Sequence, residues 1–211
     1  DGHIVSPIFF PGGDIGRLAV SGTVNDIAMS GGEPAYLAVS FILEEGFSTA
    51  DLEKVAASMA TAVAEAGVQI IAGDTKVVEH GGADRLFITT AGVGLVPANV
   101  SVSATRAQPG DVVLLSGAVG DHGLTIMTQR EGLRFESPLR SDCAPLNHMV
   151  QAMLAAAPHL HVLRDPTRGG VAATLNEIAG QSGVGIEIDE PAVPIHAAVA
   201  AASELLGLDP L

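Results

Sequence analysis

The sequence predicts an α/β (α+β) protein built in two parts. Three observations carry that reading. The first ninety-six residues alternate strand-like and helix-like apolar patterns in the order β-α-β-α-β-β. A Ser-, Ala-, Thr- and Pro-rich stretch then runs from Pro97 to Gly110 and reads as a linker. Beyond it, strands and helices resume with the same character, which places the domains at 1–104 and 105–211.

In chain order, His3 to Phe10 is apolar and β-branched and reads as a strand that Pro11-Gly12-Gly13-Asp14 breaks. Gly16 to Gly31 fits a helix, with apolar residues at Leu18, Ala19, Val24, Ile27 and Ala28, and Pro34 reads as its stop. Leu37 to Leu43 has the continuous apolar run of a buried strand. Ser48 opens a helix with Asp51 in its first turn; it continues through Leu52, Val55, Met59 and Val63 to Ala66, and Gly67 suits its C-terminus. Val68 to Ala72 is a strand, Gly73-Asp74-Thr75-Lys76 a turn, and Val77 to Glu79 a return to β. Leu86 to Val96 makes one long strand.

In the second half, Asp111 to Ser116 reads as a strand, followed by the Gly-rich loop Gly117 to Gly123 and a helix over Leu124 to Arg130. After a polar stretch come helices over Leu146 to Ala157 and from about Val171 to Gly180. Gly185 to Ile188 reads as a strand and Pro194 to Leu206 as a last helix. The chain starts without Met on what reads as mid-strand and stops after a helix, so it reads as a fragment lacking both ends.

Composition narrows the function. With 10 Lys and Arg against 24 Asp and Glu, the net charge of −14 argues against a nucleic-acid surface, which needs clustered cations. Surplus carboxylates suit divalent cations, and the acidity suits a cytosolic protein. The single cysteine, Cys143, excludes an internal disulfide and a multi-thiolate zinc site. No apolar run approaches membrane-spanning length.

Three segments concentrate chemistry. Gly73 to Lys76 gathers a carboxylate, a hydroxyl and an ammonium group, as a hairpin corner or as part of a site. Asn25 and Asp26 stand in an apolar helix, where a carboxylate is costly unless it lies in a solvated turn or faces a cleft and holds a cation. Arg164-Asp165-Pro166-Thr167-Arg168-Gly169-Gly170 precedes a helix whose free N–H groups favour an anion such as phosphate. Thr167 reads either as the N-cap or as part of that anion site. The spacing of Gly117, Gly120 and Gly123 matches no nucleotide fingerprint. His159 and His161 read as surface residues, and Cys143, with no cation beside it in sequence, reads as structural.

Taken together, Asp1-Gly2-His3-Ile4-Val5-Ser6-Pro7, TVNDIAMSGGEP, GDTKVV and RDPTRGG resemble the ATP-binding superfamily of aminoimidazole ribonucleotide synthetase, selenophosphate synthetase and thiamine-monophosphate kinase. With FFPGGDIG, FILEEG and SGAVGDHG, they are most similar to its HypE-like hydrogenase maturation family, along essentially the whole chain. The resemblance implies a two-domain PurM-like fold, with an N-terminal sheet that forms a barrel in a homodimer and a C-terminal α/β domain that closes over ATP. It implies Mg²⁺ held by Asp1, Asp26 and Asp165. Asn25, Asp74, Thr75, Lys76, Thr167, Arg168, Gly169 and Gly170 complete the ATP site, and Lys76 is the candidate catalytic residue. The implied reaction is ATP-dependent dehydration of a carbamoyl group on a C-terminal cysteine to a thiocyanate, which supplies cyanide ligands for [NiFe] hydrogenase. Implied partners are a carbamoyltransferase and iron-carrying maturation proteins. Such proteins also carry an N-terminal glycine-rich segment, and beyond the point matching Leu211 a glutamate suited to proton removal and the terminal cysteine. Two other readings stay open: a small-molecule kinase or synthetase of the same superfamily, and a non-catalytic dimeric scaffold.

Overall fold

A computed structural model describes residues 1–133 and 139–211; part of the polar stretch after Arg130 lies outside the described residues. The first half holds β1 (Gly2–His3), β2 (Phe9–Phe10), β3 (Gly13–Asp14), α1 (Ile15–Met29), β4 (Glu33–Glu44), α2 (Thr49–Ala66), β5 (Gln69–Val78) and β6 (Leu86–Leu95). The second half holds α3 (Asp121–Arg130), α4 (Asn147–Ala156), α5 (Gly170–Ser182), a 3-10 turn at Glu190–Ala192, and α6 (Ala197–Leu206).

Four strands form a mixed sheet in the order β1-β6-β4-β5. β4 runs parallel to β5, across the α2 crossover, and antiparallel to β6, while β1 is antiparallel to β6. Alternation assigns the faces: Leu37, Val39 and Leu43 of β4, with Leu86 and Ile88 of β6, are buried under α1 and α2. Val20 and Val24 of α1 and Val55 and Met59 of α2 close this main core. Both helices start and stop on local chemistry. Asp14 accepts from the N–H groups of Gly16 and Arg17 at the start of α1, Ser48 accepts from Asp51 N–H at the start of α2, and Gly67 ends α2 at φ 69°.

The halves are joined by packing as well as by the chain. Ala28 of α1 and Val150 and Leu154 of α4 form one cluster, against which Val100 and Val102 of the linker pack. Gly31, at φ +78°, admits this linker: a Cβ there would run into the Val100 side chain. Leu124, Leu139, Val199 and Ala202 form a separate core in the second half.

The structure corrects five expectations. The His3 to Phe10 run is two short strands, because Pro7 has no N–H to give a ladder and the chain turns so that β2 pairs with β3 instead. Pro34 does not stop α1: the helix ends at Met29, and Pro34 opens β4 ahead of the stretch paired to β5. The Gly73–Lys76 segment is no turn but the middle of the continuous ten-residue β5. Asp111 to Ser116 and Gly185 to Ile188 form no strands, for neither has a hydrogen-bonded neighbour among the described residues, and Val112 and Leu114 are 78% and 77% exposed. Apolar pattern alone proposes a strand, but a partner strand has to complete the ladder.

Candidate functional site

α1 delivers Asp26, and the loop leading into α5 delivers Asp165 from the other half of the chain. Burial pushes the Asp26 carboxyl up from the usual carboxylate range, and the negative charge of Asp165 pushes it further. Asp165 is raised as well, chiefly by burial. Asp26 is nonetheless exposed and Asp165 half-buried, so the two carboxyls lie within electrostatic reach of one another at the surface.

Asp1 lies beside them, at the start of β1. Its Oδ1 accepts from Gly2 N–H at 2.8 Å, and its Oδ2 stands 3.4 Å from His3 Nε2. The same oxygen lies against α1 at Gly22, where a Cβ would be 3.4 Å away, one helical turn before Asp26. His3 is 6% exposed, and burial lowers its imidazole below the usual histidine range. Sequence reasoning did not single it out; the one signal was a histidine inside an apolar run.

Among the described residues no three His, Cys, Asp or Glu side chains stand close enough to hold a metal ion by themselves. The expected set of three carboxylates around Mg²⁺ is therefore not assembled here, although one or two carboxylates with water and phosphate oxygens are enough for that ion. All-oxygen donors whose mutual repulsion a cation would relieve fit such an ion.

The Gly73–Lys76 segment stands elsewhere. A strand sends alternate side chains to opposite faces, so Asp74 and Lys76 lie on the open face while Gly73 and Thr75 lie on the helix side. Asp74 and Lys76 pair there, Nζ to Oδ2 at 2.7 Å, with both side chains well exposed. The hydrogen bond from Lys76, followed by that from Thr75 N–H, lowers the Asp74 carboxyl below the usual range. Gly73 and Thr75, with Asp74 between them, also border a groove of about 790 Å³ against α2, whose walls include Phe41, Met59, Val63 and Ile70. In sheet register Asp74 lies opposite Ser40, Ser40 opposite Thr89, and Thr89 opposite Gly2. Three strand spacings, about 14 Å, thus separate Asp74 from the strand that carries Asp1. Within one chain the structure sets Asp1 against α1 one turn before Asp26 and Asp165 within electrostatic reach of Asp26, without gathering the three into a group close enough to hold a metal ion among the described residues, and it leaves Asp74, Thr75 and Lys76 at the far edge.

The remaining candidates are placed as follows. Asn25 is engaged at both ends of its amide: Nδ2 donates to Ala144 O at 3.1 Å and Oδ1 accepts from Leu146 N–H at 2.8 Å. It fastens α1 to the segment entering α4. Thr167 is not the N-cap of α5; Gly169, at φ 81°, holds that position without a side-chain hydrogen bond. Thr167 and Arg168 are exposed beside it. Gly170 N–H donates to Thr167 O at 3.2 Å, and the carbonyl of Leu211 accepts from Ala172 N–H at 3.1 Å, so part of this helix terminus is already satisfied. A Cβ on Gly170 would collide with that carbonyl.

Cys143 is partly buried, and burial pushes its thiol up, away from the reactive thiolate. His159 is exposed, but His161 is partly buried, its Nδ1 2.8 Å from Asp111 Oδ2. No spacing rule links residues fifty apart, so sequence could not reveal that pair.

Comparison with known proteins agrees with this architecture. Residues 1–96 match the family model described as AIR synthase related protein, N-terminal domain, and residues 108–211 match its C-terminal domain. The chain is 60% identical over 211 residues to the carbamoyl dehydratase HypE of Cupriavidus necator, covering 100% of this chain and 60% of that protein. It therefore spans about three fifths of the length of this curated relative. A crystal structure of hydrogenase maturation protein HypE in complex with ATP superposes with a TM-score of 0.98 at 54% identity, over 100% of this chain and 63% of that one. HypE in a HypE–HypF complex superposes equally well, TM-score 0.98 at 53% identity, over 100% and 69%. The chain belongs to the HypE carbamoyl dehydratase family of AIR synthase related proteins.

Proposed function

We propose that this chain forms the ATP-binding body of a carbamoyl dehydratase that converts a cysteine-bound S-carbamoyl group to a thiocyanate, the cyanide source in [NiFe] hydrogenase maturation. The observation that carries the reading is the similarity along the whole chain to HypE in complex with ATP, at a TM-score of 0.98 and 54% identity, with Asp26 and Asp165 from the two halves within electrostatic reach of each other. Such a pair is suited to Mg²⁺, with Asp1 beside it as the third acidic group.

When bound, Mg-ATP would supply a phosphoryl group to the carbamoyl oxygen, leaving ADP; departure of that oxygen as inorganic phosphate, with both protons lost from the nitrogen, leaves the nitrile. The chain's own residues bind and orient. Asp26 and Asp165 neutralise the cation from opposite halves, so binding draws the halves together. Thr167, Arg168 and the Gly169 N–H hold phosphate oxygens at the α5 terminus, which Gly170 shapes. The Lys76 ammonium stabilises charge on the transferred phosphate or the carbamoyl oxygen, with Asp74 orienting it and Thr75 contacting nucleotide. Cys143, buried and with its thiol raised, is unsuited to carry the carbamoyl group, which this reading places on a C-terminal tail cysteine.

A homodimer resolves the separation of the two groups. β5 presents an outer edge without a strand partner among the described residues, and Ile71 and Val77 on it are 65% and 66% exposed. An edge this long and apolar requires cover. A second copy placed there would let the Asp74–Lys76 edge of one protomer serve the carboxylates of the other. The partners in this reading are a HypF-like carbamoyltransferase and iron-carrying maturation proteins. Neither nucleic acid nor membrane belongs to it: the net charge is −14, and among the described residues no helix is long and apolar enough to cross a bilayer. The setting proposed is the cytoplasm.

The test is mass spectrometry of the S-carbamoylated protein. Adding ATP and Mg²⁺ should remove the mass of one water from the modified cysteine peptide, and Lys76→Met should slow that step while leaving the fold intact. ATP cleavage with the peptide mass unchanged would refute the dehydratase assignment.

A further inference from the structure

We infer that His3 is a positioning residue for Asp1, acting through a buried hydroxyl relay that ties β1 to the helix carrying Asp26; this rests on the proposed Mg-ATP site and extends it. Asp1 stands just before the ladder that Gly2 and His3 form with β6, and its carboxylate needs a fixed direction if it is to serve the site. The backbone supplies part: Asp1 N donates to Thr90 O at 2.6 Å, and Thr90 N–H donates to Asp1 O at 2.9 Å. Neither bond fixes the side chain.

Alternation along the strand puts Asp1 and His3 on the same face, toward α1. His3 Nε2 lies 3.0 Å from Thr90 Oγ1, a hydrogen bond, and 3.4 Å from Asp1 Oδ2, a polar contact longer than a hydrogen bond. Thr90, 1% exposed, is hydrogen-bonded through its hydroxyl to Thr23 Oγ1 on α1, itself 5% exposed. Thr23 precedes Asp26 by three residues and shares its side of the helix. The relay Asp1–His3–Thr90–Thr23 thus connects one acidic group to the helical turn that bears another. Gly22 makes the approach possible, since a Cβ there would stand 2.8 Å from His3 Cε1. A histidine kept only for packing would not need its ring nitrogen bonded to a buried hydroxyl with a carboxylate 3.4 Å away. The imidazole sets the direction of the Asp1 carboxylate, as outer partners of metal ligands do.

The experiment measures binding of a non-hydrolysable ATP analogue by calorimetry, with and without Mg²⁺, in wild type, His3→Leu, His3→Gln, Asp1→Asn and the Asp1→Asn/His3→Leu double variant. His3→Leu is expected to weaken Mg²⁺-dependent binding about tenfold or more, to leave metal-free binding unchanged, and to be largely rescued by His3→Gln, which restores an N–H donor. The double variant should bind no more weakly than Asp1→Asn alone, because His3 acts through Asp1. Wild-type Mg²⁺ dependence in His3→Leu, or losses that add in the double variant, overturns the inference while leaving the site intact. Absence of Mg²⁺-dependent binding in wild type overturns the proposed site and this inference with it. If His3→Leu fails to fold, Thr90→Val removes the relay hydroxyl at nearly constant volume and decides the matter by the same readout.

Discussion

Replacing Asn25 by alanine separates two roles for that amide. Oδ1 accepts from Leu146 N–H at 2.8 Å and Nδ2 donates to Ala144 O at 3.1 Å, both partly buried and both crossing from α1 to the second half. Alanine leaves the Leu146 N–H without its acceptor, at about 1–3 kcal/mol, and removes a donor from Ala144 O. The sum is about 2–3 kcal/mol, and for a chain of this size each kcal/mol moves Tm by about 2–4 °C. Asn25→Ala should therefore lower the Tm of the nucleotide-free protein by about 4–12 °C. Differential scanning calorimetry in the absence of nucleotide and magnesium measures it. An amide that served only to contact ATP would leave the nucleotide-free Tm unchanged and weaken nucleotide binding alone; that result would refute the clasp. Asn25→Asp sharpens the contrast, since it keeps the acceptor for Leu146 N–H but sets a carboxylate against the Ala144 carbonyl.

Two further predictions follow from the same geometry. The folded-state pKa of Asp26 is raised, by burial first and by Asp165 second, so the stability this group contributes is fully present below its unfolded pKa and is lost as pH rises through the folded value. Asp26→Asn should then melt higher than wild type at pH 7 without metal, with the gap closing in acid, while losing Mg²⁺-dependent nucleotide binding; a lower metal-free Tm at pH 7 would contradict it. Gly92→Ala places a Cβ 2.5 Å from Ile27 Cδ1 and 2.8 Å from Thr23 Cγ2, wedging β6 away from α1. It should destabilise by about 1–3 kcal/mol in urea unfolding, and an unchanged midpoint would show that α1 shifts freely.

Local rules made much of the fold legible. Ser48 at an N-cap and Gly67 at a C-terminus bracket α2 as expected, because capping depends on side chains within one turn. Helices α3 to α6 likewise follow from periodicity within each segment. The segments Asp111 to Ser116 and Gly185 to Ile188 were misread for the opposite reason: a strand depends on a neighbour, and apolar pattern contains no information on whether one is present. Gly73–Lys76 failed by a related route, since Gly and Asp are turn formers that pairing with β4 overrode.

By itself, then, the sequence singled out the candidates for the chemistry: carboxylates at 1, 26, 74 and 165, a lysine at 76, and a glycine-rich helix entry at 169–170. Only the tertiary structure decided which of them meet. Asp26 and Asp165, 139 positions apart by their numbers, are neighbours because α4 and the linker dock on α1. Asp74, by contrast, is separated from Asp1 by the width of a sheet whose order, β1-β6-β4-β5, no local pattern encodes. Capping and periodicity act within a turn or two of chain, whereas strand order and domain docking are settled by the burial of surfaces distant in sequence.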